Sequence, residues 1–206
     1  MRKPPASPQG ADTIVPAHPL AEWLIDGLRE RRNRRVLDFA SGSGRNARAL
    51  SAAGLSVVSI DDLTAGSSEP FEGVAAPFAA VLSTHGLLHG APSVISAKVR
   101  LIAEYLEPLG LLYATFGSRR DERFGKGSRI DALTFAPTQG DECGVAHAFF
   151  DRAALRTILE ARFAIEYLEE HAVDAVAGSW AHRDVPLSGA VHWFAIARMR
   201  EDLAEP

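Results

Sequence analysis

The sequence predicts an α/β fold in a single domain, and two observations carry that prediction. Within residues 35–60, an apolar run ending in a carboxylate, Arg35-Val36-Leu37-Asp38, leads through a small-residue loop into a helical segment. A second apolar run, Ser56-Val57-Val58-Ser59-Ile60, follows. Strand and helix patterns that alternate in this way build a parallel sheet. The chain also has 206 residues with 47% hydrophobic content, enough to bury one sizeable core and too short for two.

From the N-terminus, Met1-Arg2-Lys3-Pro4-Pro5 has no long apolar stretch behind it, and residues 1–13 are expected to form a disordered tail. Residues 17–30 place Leu20, Trp23, Leu24 and Leu28 at helical spacing, which predicts an amphipathic helix. Arg31, Arg32, Arg34 and Arg35 come next. Cations there complement the helix dipole, a reading preferred to a phosphate-binding patch. In the 35–60 unit, Gly42 and Gly44 let backbone N–H groups approach a ligand closely, and the helix over residues 46–53 points its N-terminus at the same loop. Asp61, with Asp62 beside it, ends the second run where a carboxylate can reach ribose hydroxyls.

This loop has two readings. Gly42-Ser43-Gly44-Arg45-Asn46-Ala47 fits G-x-G-x-x-A, the pyrophosphate loop of nicotinamide and flavin proteins. A carboxylate at Asp38 would repel a pyrophosphate, however, so the ligand expected over this strand end is cationic. S-adenosylmethionine, with an ammonium, a sulfonium and an adenosine, has that charge pattern. Asp38-Phe39-Ala40-Ser41-Gly42-Ser43-Gly44 resembles the first motif of the class I S-adenosylmethionine-dependent methyltransferases, acid-x-Gly-x-Gly-x-Gly. Ala40 replaces the first Gly, and an ordinary negative φ is expected there.

The resemblance implies a Rossmann-like methyltransferase domain over residues 14–200. It has a mostly parallel twisted sheet, helices on both faces, a C-terminal antiparallel hairpin and a tail at residues 201–206. On this plan Phe78-Ala79-Ala80-Val81-Leu82-Ser83-Thr84-His85 is the fourth strand, and residues 101–106 are the helix before the fifth. Glu107-Pro108-Leu109-Gly110 is a turn and Leu111-Leu112-Tyr113-Ala114-Thr115-Phe116 the fifth strand. A helix over residues 152–160, a strand near 164–169 and a last strand over 190–198 complete it. Residues 62–77 leave too little room for the usual third strand, which is expected to be shortened to a stub at 71–75 or lost, with a Gly/Ser loop at 64–70. The adenine-binding residue is therefore unassigned.

Residues 117–145 carry five glycines among mixed charges and read as a lid at the carboxyl edge of the sheet. Together with Thr115-Phe116-Gly117-Ser118 and His147-Ala148-Phe149-Phe150, they resemble the acceptor-side insertion of small single-domain enzymes of the tellurite-resistance and general small-molecule type.

Methyl transfer is an in-line displacement that mainly requires positioning and exclusion of water. The cofactor residues implied are Asp38 for the ammonium, Ala40, Ser41, Gly42, Gly44 and Asn46 on the loop, and Asp61 or Asp62 for the ribose. Thr84 and His85 form the wall around the methyl group. His85 is also the candidate general base. Acceptor candidates are His89, Arg119, Arg123, Glu142, His147 and Trp180. His171, His182 and His192 lie near the last strands, while Trp193 and Phe194 read as core. His85 and His89 have the i,i+4 spacing of a metal pair, but no third ligand is near in sequence and no metal is expected.

The net charge of −4 gives no general attraction to phosphate polymers, so a small-molecule acceptor is favoured over nucleic acid. No run reaches membrane-span length. Cys143 is the single cysteine, which excludes an intramolecular disulfide, fits a reducing cytoplasm and opposes arsenic-type methylation. A monomer or homodimer is expected. A noncatalytic adenosyl-binding domain and an NAD(P)-dependent oxidoreductase are the alternatives.

Overall fold

The architecture comes from a computed structural model that describes residues 16–60, 73–140, 142–175 and 189–201. The strands β1 (Arg35–Phe39), β2 (Ser56–Ile60), β3 (Phe78–Ser83) and β4 (Leu106–Ser118) lie in the order β2-β1-β3-β4. All three pairings are parallel, with Leu37 opposite Val58 and Val81, and Leu82 opposite Tyr113. Strand β3 is buried at every position, and β1 at all but its first. Parallel strands of this kind must be covered on both sides.

Four helices provide the cover among the described residues: α1 (Pro19–Gly27), α2 (Arg45–Ala52), α3 (Pro92–Tyr105) and α4 (Arg152–Glu160). Val36, Ala80, Leu82, Leu111 and Tyr113 pack against Leu20 and Leu24 of α1 and Leu50 of α2. The alternate residues Leu37, Phe39, Val81, Leu112 and Ala114 pack against Ile95, Val99 and Ile102 of α3 and Leu155 and Leu159 of α4. Each fully buried Leu or Phe contributes about 1.5–3 kcal/mol. The antiparallel hairpin is present: β9 (Val191–Met199) pairs with β4 and with β8 (Phe163–Ala172).

The structure differs from the sequence expectations in three places. Helix α3 starts at Pro92, nine residues before the expected 101, because a proline at the first helical position needs no backbone hydrogen bond. The turn at Glu107–Gly110 is absorbed into β4 as an extrusion. The register passes from Phe78 opposite Leu106 to Ala80 opposite Leu111, and Leu109 takes φ 60. Arg31 Nη2 donates to Leu109 O at 2.9 Å and Asn33 Nδ2 to Glu107 Oε2 at 2.6 Å, while Arg35 lies 4.4 Å over the Phe78 ring. Those contacts give three residues of the 31–35 segment structural work.

The third difference is the region after β4, which contains short strands: β5 (Ser128–Arg129), β6 (Thr134–Ala136) and β7 (His147–Phe150). β7 runs parallel to the end of β4, with Gly117 opposite Phe149, and β6 and β5 follow antiparallel. A Cβ on Gly117 would run into Ala148 O, so this close strand approach requires glycine. Residues 73–77 form no strand, and the other positions of the 62–77 interval lie outside the described residues, as do 1–15 and 202–206. Among the described residues, no helix is long and apolar enough to cross a membrane.

Candidate functional site

Parallel strands deliver their carboxyl ends to one edge of the sheet, and the candidate residues of β1 and β3 gather there. Asp38 is 1% exposed, opposite Ser59 of β2 and Leu82 of β3. Beyond it the backbone turns left-handed at every second residue, with φ 60 at Ala40, 51 at Gly42 and 69 at Gly44. Ser41 N donates to Ile60 O at 3.1 Å, which ties the loop to the end of β2. Gly44 N closes the turn on Ser41 O at 2.9 Å, and α2 starts with no side-chain cap. A Cβ on Gly42 would meet nothing within 4 Å, so the loop opens onto space.

The expected negative φ at Ala40 is therefore wrong. The position holds the left-handed conformation that Gly adopts without cost, and an L-residue there costs about 1–2 kcal/mol. The loop geometry thus matches the glycine motif even though its side chain does not.

Arg45, the first residue of α2, is buried and donates Nη1 to Pro16 O at 2.9 Å. Burial draws its guanidinium down to about 10, opposed by the attraction of Asp38. Asp38 therefore stands in the field of a buried cation. Asn46 is not presented to the loop as expected. Its Oδ1 accepts from His18 N at 2.9 Å and its Nδ2 donates to Thr84 Oγ1 at 2.8 Å. This side chain ties the start of α1, the glycine loop and the end of β3 together, a role that sequence spacing gave no sign of.

Thr84 and His85 follow β3, and the segment carrying His85 and His89 is not helical, so the two do not share a helix face. His85 takes φ 73 and its N–H donates to Thr115 Oγ1 of β4 at 2.9 Å. Its ring lies edge-on to His18 at 6.0 Å and to His192 at 5.4 Å between centroids. His18 Nδ1 accepts from Leu20 N at 3.1 Å, placing the proton of the neutral ring on Nε2. Arg123 Nη2 lies 3.1 Å from His192 Nε2 and can only donate, so His192 carries its proton on Nδ1. Burial pushes both rings well below the usual histidine range, and neighbouring positive groups push further. This histidine cluster joins a loop, the end of β3 and β9, elements far apart in sequence.

Beyond the end of β4, Arg123, Lys126, Phe135, His147 and Phe149 line a cavity of about 230 Å³. Asp121 grips Arg123 by two hydrogen bonds of 2.8 Å, through Nε and Nη2. His89, Glu142 and His147 come together with their ligand atoms within 4.8 Å of one another. Hydrogen bonds to both histidines hold the Glu142 carboxyl far below the usual carboxylate range, against the opposing effect of burial. Arg119 does not join this group; it pairs with Asp151 at 3.1 Å and lies over the Phe124 ring. Trp193 is core as expected, with Nε1 donating to Phe150 O at 2.9 Å, and His171 stacks on Phe194 at 4.3 Å. Asp61, Asp62, Trp180 and His182 lie outside the described residues.

No family model and no curated protein matches the chain. Solved structures do. A 1,6-didemethyltoxoflavin-N1-methyltransferase from Burkholderia thailandensis, with 1,6-didemethyltoxoflavin and S-adenosylhomocysteine bound, is 17% identical at TM-score 0.61 and covers 92% of this chain and 79% of its own. A SAM-dependent methyltransferase from Methanosarcina mazei is 18% identical at TM-score 0.63, covering 85% and 97%. TehB from Haemophilus influenzae is 14% identical at TM-score 0.52, covering 87% and 62%. At such identities the likeness establishes the fold: the chain is built on the α/β plan of the S-adenosylmethionine-dependent methyltransferases.

Proposed function

We propose that this protein is an S-adenosylmethionine-dependent methyltransferase acting on a small-molecule acceptor. The observation that carries the reading is the end of β1, where a buried carboxylate is followed by a left-handed glycine loop that opens onto space and leads into the N-terminus of α2. An acid beside a helix N-terminus suits a zwitterionic amino-acid moiety, and the acid disfavours a diphosphate. When bound, S-adenosylmethionine would supply an electrophilic methyl group on a sulfonium.

The chain's own residues then have separable tasks. Asp38 holds an ammonium, and Gly42 and Gly44 let the backbone of the 40–44 loop approach the ligand closely. Asp61, with Asp62 beside it, is assigned the ribose hydroxyls from its place after β2. Thr84 and His85 wall the space at the end of β3. Neutral His18 and His192 on either side of His85 spare that wall a build-up of positive charge. His85 is assigned the role of taking a proton from the acceptor, which its position directly after β3 supports. The cavity beside His147 and Phe149 receives the acceptor's body and excludes water. One structural neighbour, which has 1,6-didemethyltoxoflavin bound, supports a small-molecule acceptor. The lone cysteine supports a reducing, cytoplasmic setting, and nothing in the reading requires more than a monomer or homodimer.

Calorimetry with S-adenosylhomocysteine and with NAD, followed by turnover against amine, thiol, phenol, carboxylate and metalloid acceptors, tests this. S-adenosylhomocysteine is expected to bind and NAD to fail. Asp38→Ala should weaken S-adenosylhomocysteine binding about tenfold to a hundredfold, the loss of one charged hydrogen bond of about 1.5–3 kcal/mol. Preference for NAD would refute the assignment, and adenosyl binding without turnover of any acceptor would favour the noncatalytic alternative.

A further inference from the structure

We propose that His89, Glu142 and His147 form a binding site for a borderline-soft divalent cation of the zinc type, set in the wall of the acceptor cavity. Three observations on these residues converge.

The first is the tautomer of His147. Its Nδ1 lies 2.8 Å from Val145 O, and a carbonyl can only accept, so Nδ1 carries a proton. In the neutral ring Nε2 then presents a lone pair, yet it is buried and lies 3.2 Å from Glu142 Oε2, itself an acceptor. Two acceptors facing each other are joined either by a proton, as the hydrogen bonds to Glu142 describe, or by a metal cation, which the same three side chains can hold. A metal-bound histidine characteristically donates its other ring N–H to a backbone carbonyl, the contact His147 makes.

The second is spacing. Donors bound at about 2.0–2.1 Å to a tetrahedral ion lie about 3.3 Å apart. His147 Nε2 is 3.2 Å from Glu142 Oε2 and His89 Nε2 is 3.6 Å from Glu142 Oε1, and ligand atoms of the three residues all lie within 4.8 Å of one another, close to that spacing.

The third is backbone preorganisation. His89 and His147 face each other across an isolated antiparallel bridge, flanked by Gly90 N to Ala146 O at 2.8 Å and Ala148 N to Leu88 O at 2.9 Å. The rings stand edge-to-face with centroids 4.9 Å apart. Glu142 enters from a turn closed by Cys143 N to Gly140 O at 3.1 Å and Val145 N to Glu142 O at 2.9 Å. Arg123, whose Nη1 is 3.9 Å from Glu142 Oε2, makes its short hydrogen bonds to Asp121, at 2.8 Å.

Two imidazoles and one carboxylate select zinc-type ions over magnesium or calcium and leave at least one coordination position open. Because His147 and Arg123 also line the cavity, an acceptor oxygen or nitrogen can take that position. Coordination would lower its pKa and hold it as an anion, its proton released to solvent. This role rests on the methyltransferase reading; the metal site itself does not.

The test titrates chelator-stripped full-length protein with Zn²⁺ and Co²⁺, reading stoichiometry by calorimetry and the visible absorption of bound Co²⁺. One ion per chain is expected, with a tetrahedral Co²⁺ spectrum and no competition from Mg²⁺. Glu142→Gln and His147→Ala should each weaken binding about 100-fold or more, with S-adenosylhomocysteine affinity unchanged as the control for folding and for the separate reading. Absence of binding to the wild type, or wild-type affinity in a variant that keeps S-adenosylhomocysteine binding, overturns the site and leaves a proton-bridged ion pair in its place. Should a variant fail to fold, His89→Gln gives the same readout from the partly exposed side of the cluster.

Discussion

The contact between the glycine loop and the turn after β3 yields a two-residue prediction. A Cβ on Gly86 would lie 2.5 Å from Ala40 Cβ, 2.9 Å from Ser83 Oγ and 3.5 Å from Phe39 Cδ1. Gly86 has no left-handed φ, so Gly86→Ala acts through crowding rather than backbone strain. Overpacking of this kind costs about 1–3 kcal/mol. For a chain of this size that lowers Tm by about 2–12 °C, at about 2–4 °C per kcal/mol.

Ala40→Gly alone exchanges about 1–2 kcal/mol of relieved strain for about 0.4–1 kcal/mol of unfolded-state entropy and up to about 0.8 kcal/mol of lost methyl burial. Its net effect should be small. In the double variant the tightest contact is gone, and the remaining close one is to a hydroxyl that can rotate. Ala40→Gly should therefore rescue most of the Gly86→Ala defect, with a coupling of about 1–2 kcal/mol, above the 0.3–0.5 kcal/mol scatter of independent sites. Urea and thermal denaturation of the four proteins measure it. Additivity within that scatter would show that Ala40 does not pack under Gly86 and would undermine the loop geometry on which the donor site is built.

Further predictions follow from the buried polar groups. Asn46→Ala leaves His18 N and Thr84 Oγ1 without this partner and should cost about 2–6 kcal/mol, taking about 1–3 per group; a Tm change under about 2 °C would remove Asn46 as the tie between segments. His18, facing His85, His171 and Arg45, and His192, facing Arg123, His18, His147 and Glu142, have folded-state pKa values well below the unfolded one. The unfolded chain therefore binds more protons on acidification. Stability should be full above about pH 6.5 and fall below it by up to about 1.4 kcal/mol per pH unit for each ring, as read by urea denaturation from pH 7.5 to 5; a flat profile counts against neutral burial. His85→Ala should abolish the rise of turnover with pH near neutrality, with S-adenosylhomocysteine affinity little changed; an unaltered profile removes it as the base. Trp193→Phe deletes the bond to Phe150 O and should cost about 1–3 kcal/mol in thermal denaturation.

The donor half of the molecule was legible because its signals are local. Strands β1, β2 and β3 announce themselves as short apolar runs, Asp38 sits at a run's end, and the glycines mark a turn next to it. The hairpin of β8 and β9 and helix α4 show the same local periodicity. The sequence also grouped Arg123, Glu142 and His147, and the structure brings them together. It misread what depends on partners distant in the chain. Ala40 takes a left-handed φ because the loop packed under Gly86 demands it, overriding the preference of its side chain. Asn46 is consumed by His18 and Thr84, which no spacing rule connects to it. β4 absorbs its turn because β3 supplies a register on both sides of the extrusion.

By itself, then, the sequence determined the α/β class, the strand that carries the acid and the loop that follows, since hydrophobic period and glycine placement act over a few residues. Only the tertiary structure decided that His89, Glu142 and His147 converge and that His85 stands among other histidines. Those meetings are made by a backbone bridge and by parallel strands ending at one edge, which are contacts between segments far apart along the chain.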